Sequence, residues 1–259
     1  MISTIRNALK MASTELSIVS NNVANAGTTG FKRSDGNFLD HYSQSSQRFG
    51  MNVGFGVLHE EPRRADNKQG ALRVTNNALD LAVSGVGMFM TGNGLDDEVT
   101  YTRDGGFSVD NDGRLVTTDK RFVLDNAGEA IRIPMQLVDD QGNRALLDTI
   151  QIVDNGKINV TYGDGTIIET AQIGLARFAN FGGLKPIGGG QFKATVKSGL
   201  PVVGNPADDN YGRITQGHLE AANVNMTDEL TKLMRAQQAY SGSSRLLQSA
   251  VDMQKRLSQ

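Results

Sequence analysis

The chain has 259 residues, with 26 Lys and Arg against 28 Asp and Glu for a formal net charge of -2, and it contains no Cys. A near-neutral balance without a basic block argues against nucleic acid, because phosphate recognition needs clustered Lys and Arg, and the missing Cys excludes disulfides and thiolate metal sites. No apolar run approaches the roughly 20 residues that cross a bilayer, so no direct membrane insertion is expected.

The first residues, Met1-Ile2-Ser3-Thr4-Ile5-Arg6, lack the basic start and continuous apolar run of a secretory signal, and no Sec-type export is indicated. Ile2, Ile5, Leu9, Ala12, Leu16, Val19 and Val23 recur at alternating spacings of three and four, which predicts a helix with an a/d seam. Its end is marked by Asn21-Asn22-Val23-Ala24-Asn25, followed by Gly27 and Gly30, where Asn side chains compete for backbone hydrogen bonds. Residues 31–69 lose the period around Ser43-Gln44-Ser45-Ser46-Gln47, Gly50, Gly54 and Gly56, and read as an extended connector.

From Gly70 onward the pattern is β. Strands are predicted over residues 79–83, 86–90, 99–102, 106–109, 114–117, 131–133, 149–153, 158–162 and 166–168. Turn signals at Asp104-Gly105, Asp112-Gly113, Asn155-Gly156 and Gly163-Asp164-Gly165 separate them, at the spacing of a sandwich or barrel. A second seam follows in Leu230, Leu233, Tyr240, Leu247 and Val251. Asn225 or Thr227 can cap this helix, Asp228 and Glu229 suit its positive end, and Lys255 and Arg256 suit its negative end. The expected fold class is α+β: an antiparallel β-rich domain (70–224) carried on a coiled-coil-like stalk of paired terminal helices (1–30 and 225–259), with the connector at 31–69.

Candidate chemistry is sparse. Ser108-Val109-Asp110-Asn111-Asp112-Gly113 imitates part of a calcium loop, but its first ligand is Ser, Asp119 stands where a bidentate Glu belongs, and the flanks read as strands; a hairpin turn is the better reading. Asp96-Asp97, Asp139-Asp140 and Asp208-Asp209 lie in polar, turn-like stretches unlike the buried pairs of acid catalysis. His41, His59 and His218 are too scattered for a metal triad. Gly85-Val86-Gly87 lacks the third glycine of a dinucleotide loop, and Gly188-Gly189-Gly190 is not followed by Lys-Ser/Thr. No catalytic, cofactor-binding or metal residue is assigned.

Three separated blocks nevertheless carry a signature. Leu16, Asn21-Asn22-Val23-Ala24-Asn25, Thr28 and Gly30-Phe31-Lys32 form the first. The second runs from Gln69-Gly70-Ala71-Leu72 through Asn77-Ala78-Leu79-Asp80-Leu81-Ala82-Val83 to Tyr101-Thr102-Arg103-Asp104-Gly105 and Gly113-Arg114-Leu115-Val116. The third comprises Gly217-His218-Leu219-Glu220, Asn223-Val224-Asn225, Glu229-Leu230 and Ala236-Gln237-Gln238-Ala239-Tyr240. In this order they resemble the bacterial flagellar rod and hook protein family.

The resemblance implies a non-enzymatic axial subunit of the flagellar basal body that polymerises helically into the rod and transmits motor torque. It implies an inner tube of terminal helices with the β domain outside, and export through the flagellar type III apparatus into the periplasm-spanning basal body without a cleaved signal. The implied partners are further copies, other rod and hook proteins and the export apparatus, with no cofactor. The length favours a rod subunit over a hook subunit; a short hook-type subunit is the alternative, and a secreted β-rich hydrolase a more distant one. Expected interface residues are Ile5, Leu9, Leu16, Val19, Asn21, Asn22, Val23, Asn25 and Phe31 at one end, with Leu230, Leu233, Tyr240, Leu247 and Val251 at the other.

Overall fold

A computed structural model describes residues 2–36, 38–40, 57–59, 63–64, 68–93, 98–138 and 144–257. The chain forms two compact units, one of Met1–Ala26, Arg33–Ala65 and Val224–Gln259, the other of Gly27–Lys32 and Asp66–Asn223.

The helical unit holds α1 (Ile2–Ala24), α2 (Met226–Leu257) and two short antiparallel pairs. In these, β1 (Ser34–Asp35) joins β4 (Arg63–Arg64) and β2 (Phe38–Asp40) joins β3 (Val57–His59). At the end of α1 the carbonyl of Asn21 accepts both the backbone N–H (3.1 Å) and the side-chain amide (2.9 Å) of Asn25, and the chain turns from Asn25 onward. Of the two capping candidates on α2, Asn225 takes the role. Its Oδ1 accepts from the Thr227 N–H at 3.1 Å and its carbonyl from the Glu229 N–H at 3.0 Å. The two helices are in contact. α1 buries Ala12 and Val19, one heptad apart, and α2 buries Ala236 and Ala250, two heptads apart.

The β unit comprises β5 (Leu72–Val74), β6 (Leu81–Ser84), β7 (Met88–Gly92), β8 (Thr100–Thr102), β9 (Phe107–Val109), β10 (Leu115–Thr117), β11 (Phe122–Val123), β12 (Gln136–Val138) and β13 (Arg144–Ile152). It continues with β14 (Lys157–Tyr162), β15 (Ile167–Gln172), β16 (Leu175–Arg177), β17 (Lys185–Gly188), β18 (Gln191–Lys193), β19 (Val202–Gly204), β20 (Arg213–Gln216) and β21 (His218–Glu220). The large sheet runs β17-β18-β8-β7-β11-β10-β9, with β16 bonded to β7 and β19 to β16; a second sheet runs β12-β13-β14-β15. Two further pairs join β20 to β6 and β21 to β5, and every ladder among the described residues is antiparallel.

Strand β7 is buried on both faces. The period of two sends Phe89 into a core with Leu81, Leu115, Ile158 and Leu175, and sends Met88 and Met90 into a second cluster with Tyr101, Leu184 and Phe192. Residues 110–113 make the turn between β9 and β10, closed by the Gly113 N–H on the Asp110 carbonyl at 2.9 Å, which accounts for the calcium-like run. The strand expected at Val86 instead begins at Met88, because Gly85 and Gly87 turn the chain at φ +115° and +139°. Residues 131–133 form no continuous strand, only a single bridge between Arg132 and Arg114; Pro134, without an N–H, follows immediately.

Ile158 is fully buried and Ile167, one strand away, is two-thirds exposed. Replacing Ile158 with Ala should lower unfolding free energy by about 2–5 kcal/mol, whereas Ile167→Ala should change it by less than about 0.5 kcal/mol. Denaturant titration of each variant reads the difference.

Candidate functional site

Sequence blocks that are far apart converge in the β unit on one carboxylate. Glu220 ends β21, and the ladder pairing Glu220 with Leu72 sets it beside Gly70 and Ala71. Its Oε1 accepts from Lys32 Nζ at 2.5 Å and from the Gly70 N–H at 2.8 Å, and its Oε2 accepts from the Arg103 guanidinium at 3.1 Å. The three charged side chains are 2 %, 4 % and 1 % exposed for Lys32, Arg103 and Glu220.

Backbone carbonyls take up further donors. Lys32 Nζ donates to Lys68 at 2.9 Å, and Arg103 donates to Val83 at 3.2 Å and Gly85 at 2.7 Å. The Glu220 carbonyl itself receives the Gly30 N–H at 2.8 Å. Two glycines make this density possible. Gly30 sits at φ +64°, where a Cβ would stand 2.5 Å from the Asp104 nitrogen, and a Cβ on Gly70 would stand 1.8 Å from the Ala221 carbonyl oxygen.

Two cations share one anion in this cluster. Burial pushes the Lys32 amine below its usual value of 10.5; the Glu220 charge and hydrogen bond oppose that shift, and the Arg103 charge adds to it. Burial also pushes the Arg103 guanidinium down against the pull of Glu220. Loss of the Lys32 proton would leave Arg103 and Glu220 as an even pair.

The helical unit has its own buried carboxylate. Glu229, in the first turn of α2, accepts from the Asn22 amide at 3.0 Å and from Lys232 Nζ at 3.0 Å, with Arg33 at 3.9 Å. Asn22 completes its set with the Ser34 carbonyl at 2.9 Å and the Ser34 N–H at 2.8 Å, and that pattern fixes which end of the amide is oxygen.

The expected interface residues divide by exposure. Val19, Asn22 and Phe31 are buried within the chain's own units, whereas Ile5, Leu9, Leu16, Val23, Asn25, Leu233 and Leu247 are half-buried. Asn21, Leu230, Tyr240 and Val251 are exposed. Asp208 and Asp209 are exposed beside the turn closed by the Tyr211 N–H on the Asp208 carbonyl. His218 Nδ1 lies 2.8 Å from the Gln216 carbonyl. His41, Asp96-Asp97, Asp139-Asp140 and the connector stretch 43–56 lie outside the described residues, as does the side chain of His59. Among the described residues no three His, Asp or Glu side chains gather to hold a metal ion.

Lys32, Arg103 and Glu220 stood in the sequence blocks without being assigned to a site. For two of them the available signal was a charged residue closing an apolar or glycine-marked run, as in Gly30-Phe31-Lys32 and Leu219-Glu220.

Three family models match the chain in succession. "Flagella basal body rod protein" covers residues 2–32, "Flagellar hook protein FlgE/F/G D1 domain" covers 82–160, and "Flagellar basal body rod FlgEFG protein C-terminal" covers 215–259. The flagellar basal-body rod protein FlgG of Agrobacterium fabrum is 35% identical over 254 residues, spanning 93% of this chain and 91% of that protein. The chain belongs to the flagellar basal-body rod protein family. The FlgG of Bacillus subtilis is 31% identical over 257 residues, 93% of this chain and 91% of that protein. The flagellar hook protein FlgE of Caulobacter vibrioides matches over 98 residues at 32% identity, 38% of this chain and 17% of that protein.

The rod-family models fall on the residues just described: Asn22 and Lys32 lie in the first, Arg103 in the second, and Glu220 and Glu229 in the third. This rod-family chain is a structural protein and not an enzyme, and its internal charges serve to hold segments together.

Removing the two kinds of partner should have unequal effects. Glu220→Gln leaves two buried cations without an anion and should lower stability by about 3–5 kcal/mol, whereas Lys32→Met leaves the Arg103–Glu220 pair and should lower it by about 1 kcal/mol. Alkaline pH separates them further. The folded chain releases the Lys32 proton at lower pH than the unfolded chain does, so the unfolded state binds more protons between that lowered value and 10.5. Stability should therefore rise with pH across this window in the native sequence, relative to Lys32→Met, as read by denaturant midpoints.

Proposed function

We propose that the chain is a rod subunit of the flagellar basal body that polymerises helically through its terminal helices and transmits motor torque, at the distal end of the rod. The observation that carries this reading is the surface α2 leaves over. Contact with α1 accompanies burial of Ala236 and Ala250, yet Leu230, Met234, Tyr240, Leu246, Val251 and Met253 remain exposed on the same helix. Apolar positions on several faces are more than one partner helix covers, so α2 carries surface for neighbouring subunits as well.

In this reading α1 and α2 pair antiparallel along their seams as a coiled-coil-like stalk, and residues 1–30 and 225–259 are the polymer-forming domain. Residues 31–69 connect it to the outer β domain of 70–224. The meeting of Asn22, near the end of α1, with Glu229, near the start of α2, supports the antiparallel sense. Partners are further copies of the chain, other rod and hook proteins, and the flagellar type III export apparatus, in a basal body that spans the periplasm. Coverage of about nine-tenths of FlgG relatives, against 17% of a hook protein, favours the rod over the hook-type alternative.

Tyr240 is 43% exposed, so Tyr240→Asp leaves the fold of the single chain intact. It removes roughly 1.5–3 kcal/mol of apolar burial at each contact, which should raise the concentration needed for assembly at least about tenfold. Sedimentation and electron microscopy of native and variant chains measure this, and unchanged tubes from the variant would refute the reading.

A further inference from the structure

We propose that Glu220 is a completion latch: the part of the β unit built from residues 27–32 and 68–86 closes only when the C-terminal strands deliver this carboxylate. The inference is independent of how copies assemble.

Its three donors all precede it, at sequence separations of 188 for Lys32, 150 for the Gly70 N–H and 117 for Arg103. Until Glu220 arrives, closing the wall around these groups would dehydrate two cations with no anion between them. Burial of an unpaired charge is prohibitive, so Lys32 and Arg103 stay in water. Arg103 holds with it the carbonyls of Val83 and Gly85, at the end of β6 and the turn beyond.

The ladders carry the same order by a second route. Among the described residues the strand partner of β6 is β20, and the strand partner of β5 is β21. Apart from one bond at the start of β6, from the Leu81 N–H to the Gly105 carbonyl at 3.0 Å, the ladders of both early strands therefore wait for residues 213–220. By contrast, the ladders linking β7, β8, β11, β16 and β18, and the sheet of β12 to β15, draw on residues 88–193 alone. A chain made from its N-terminus can form those sheets first. Residues 27–32 and 68–86, which reach the earlier part only through single bonds such as Thr29 to Asp104 and Leu81 to Gly105, complete their pairing at the end, because long loop closures come late.

Pulsed hydrogen exchange during refolding of the full chain tests the order. Amides of β14 at Ile158 and Val160 should gain protection early. The Gly30 and Gly70 amides and the β6 amides after Leu81 should gain it later, together with Leu219 and Glu220. Glu220→Gln should slow or abolish the late step by at least about tenfold while leaving the early one at its native rate. The triple variant Lys32→Met, Arg103→Met, Glu220→Met removes the charges altogether and should restore the late step. Simultaneous protection of Gly70 and β14 in the native chain would overturn the proposal. So would a late step unchanged in Glu220→Gln, or a triple variant as defective as the single one.

Discussion

A single anion inside the β unit sets the conditions for everything packed around it. Glu220 is buried with Lys32 and Arg103, and a carboxylate taken out of water in this way is tolerable only because each oxygen meets strong donors at short range. The requirement is mutual, since neither cation could be buried without it. Backbone must then come unusually close, and Gly30 and Gly70 stand where any side chain would collide with Asp104 or Ala221. The result ties the stretch after α1, the stretch before β5, the end of β8 and the last strand of the unit into one cluster.

The same logic recurs in the helical unit with different partners. Glu229 lies in the first turn of α2, where the helix dipole already favours negative charge, and its buried oxygens are met by Asn22, Lys232 and Arg33. Residues 220 and 229 thus supply two buried carboxylates on one short C-terminal segment. The N-terminal segment answers each with its own residue, Lys32 in one unit and Asn22 in the other. In a rod-family protein the N- and C-terminal segments are thereby fastened within each unit by ionic and amide contacts.

α2 leaves much of its apolar surface uncovered within the single chain. Its buried apolar residues, Ala236 and Ala250, are small, while larger Leu, Met and Tyr side chains remain exposed elsewhere on the same helix. The β unit shows the opposite economy. Strand β7 is covered on both faces, and its alternation of Met88, Phe89 and Met90 serves two clusters at once.

The helices, their boundaries and the antiparallel β middle were legible in the sequence because each rests on local rules. Period 3.5 along Ile5, Leu9, Ala12, Leu16 and Val19, Asn residues that bond their own backbone, and Gly-containing turns all act over a few residues. Departures came where a neighbour's chemistry intervened: Pro134 follows the expected strand at 131–133, and Gly85 and Gly87 delay β7. The roles of Lys32, Arg103, Glu220 and Glu229 were not legible as a site. A lysine after Gly-Phe and a glutamate after Leu look like surface charges until the fold is known. Only tertiary structure decided that Lys32 and Arg103 are buried with Glu220, and Asn22 with Glu229, because these pairings join positions 117 to 207 residues apart, and no local period encodes which distant donor will meet which carboxylate.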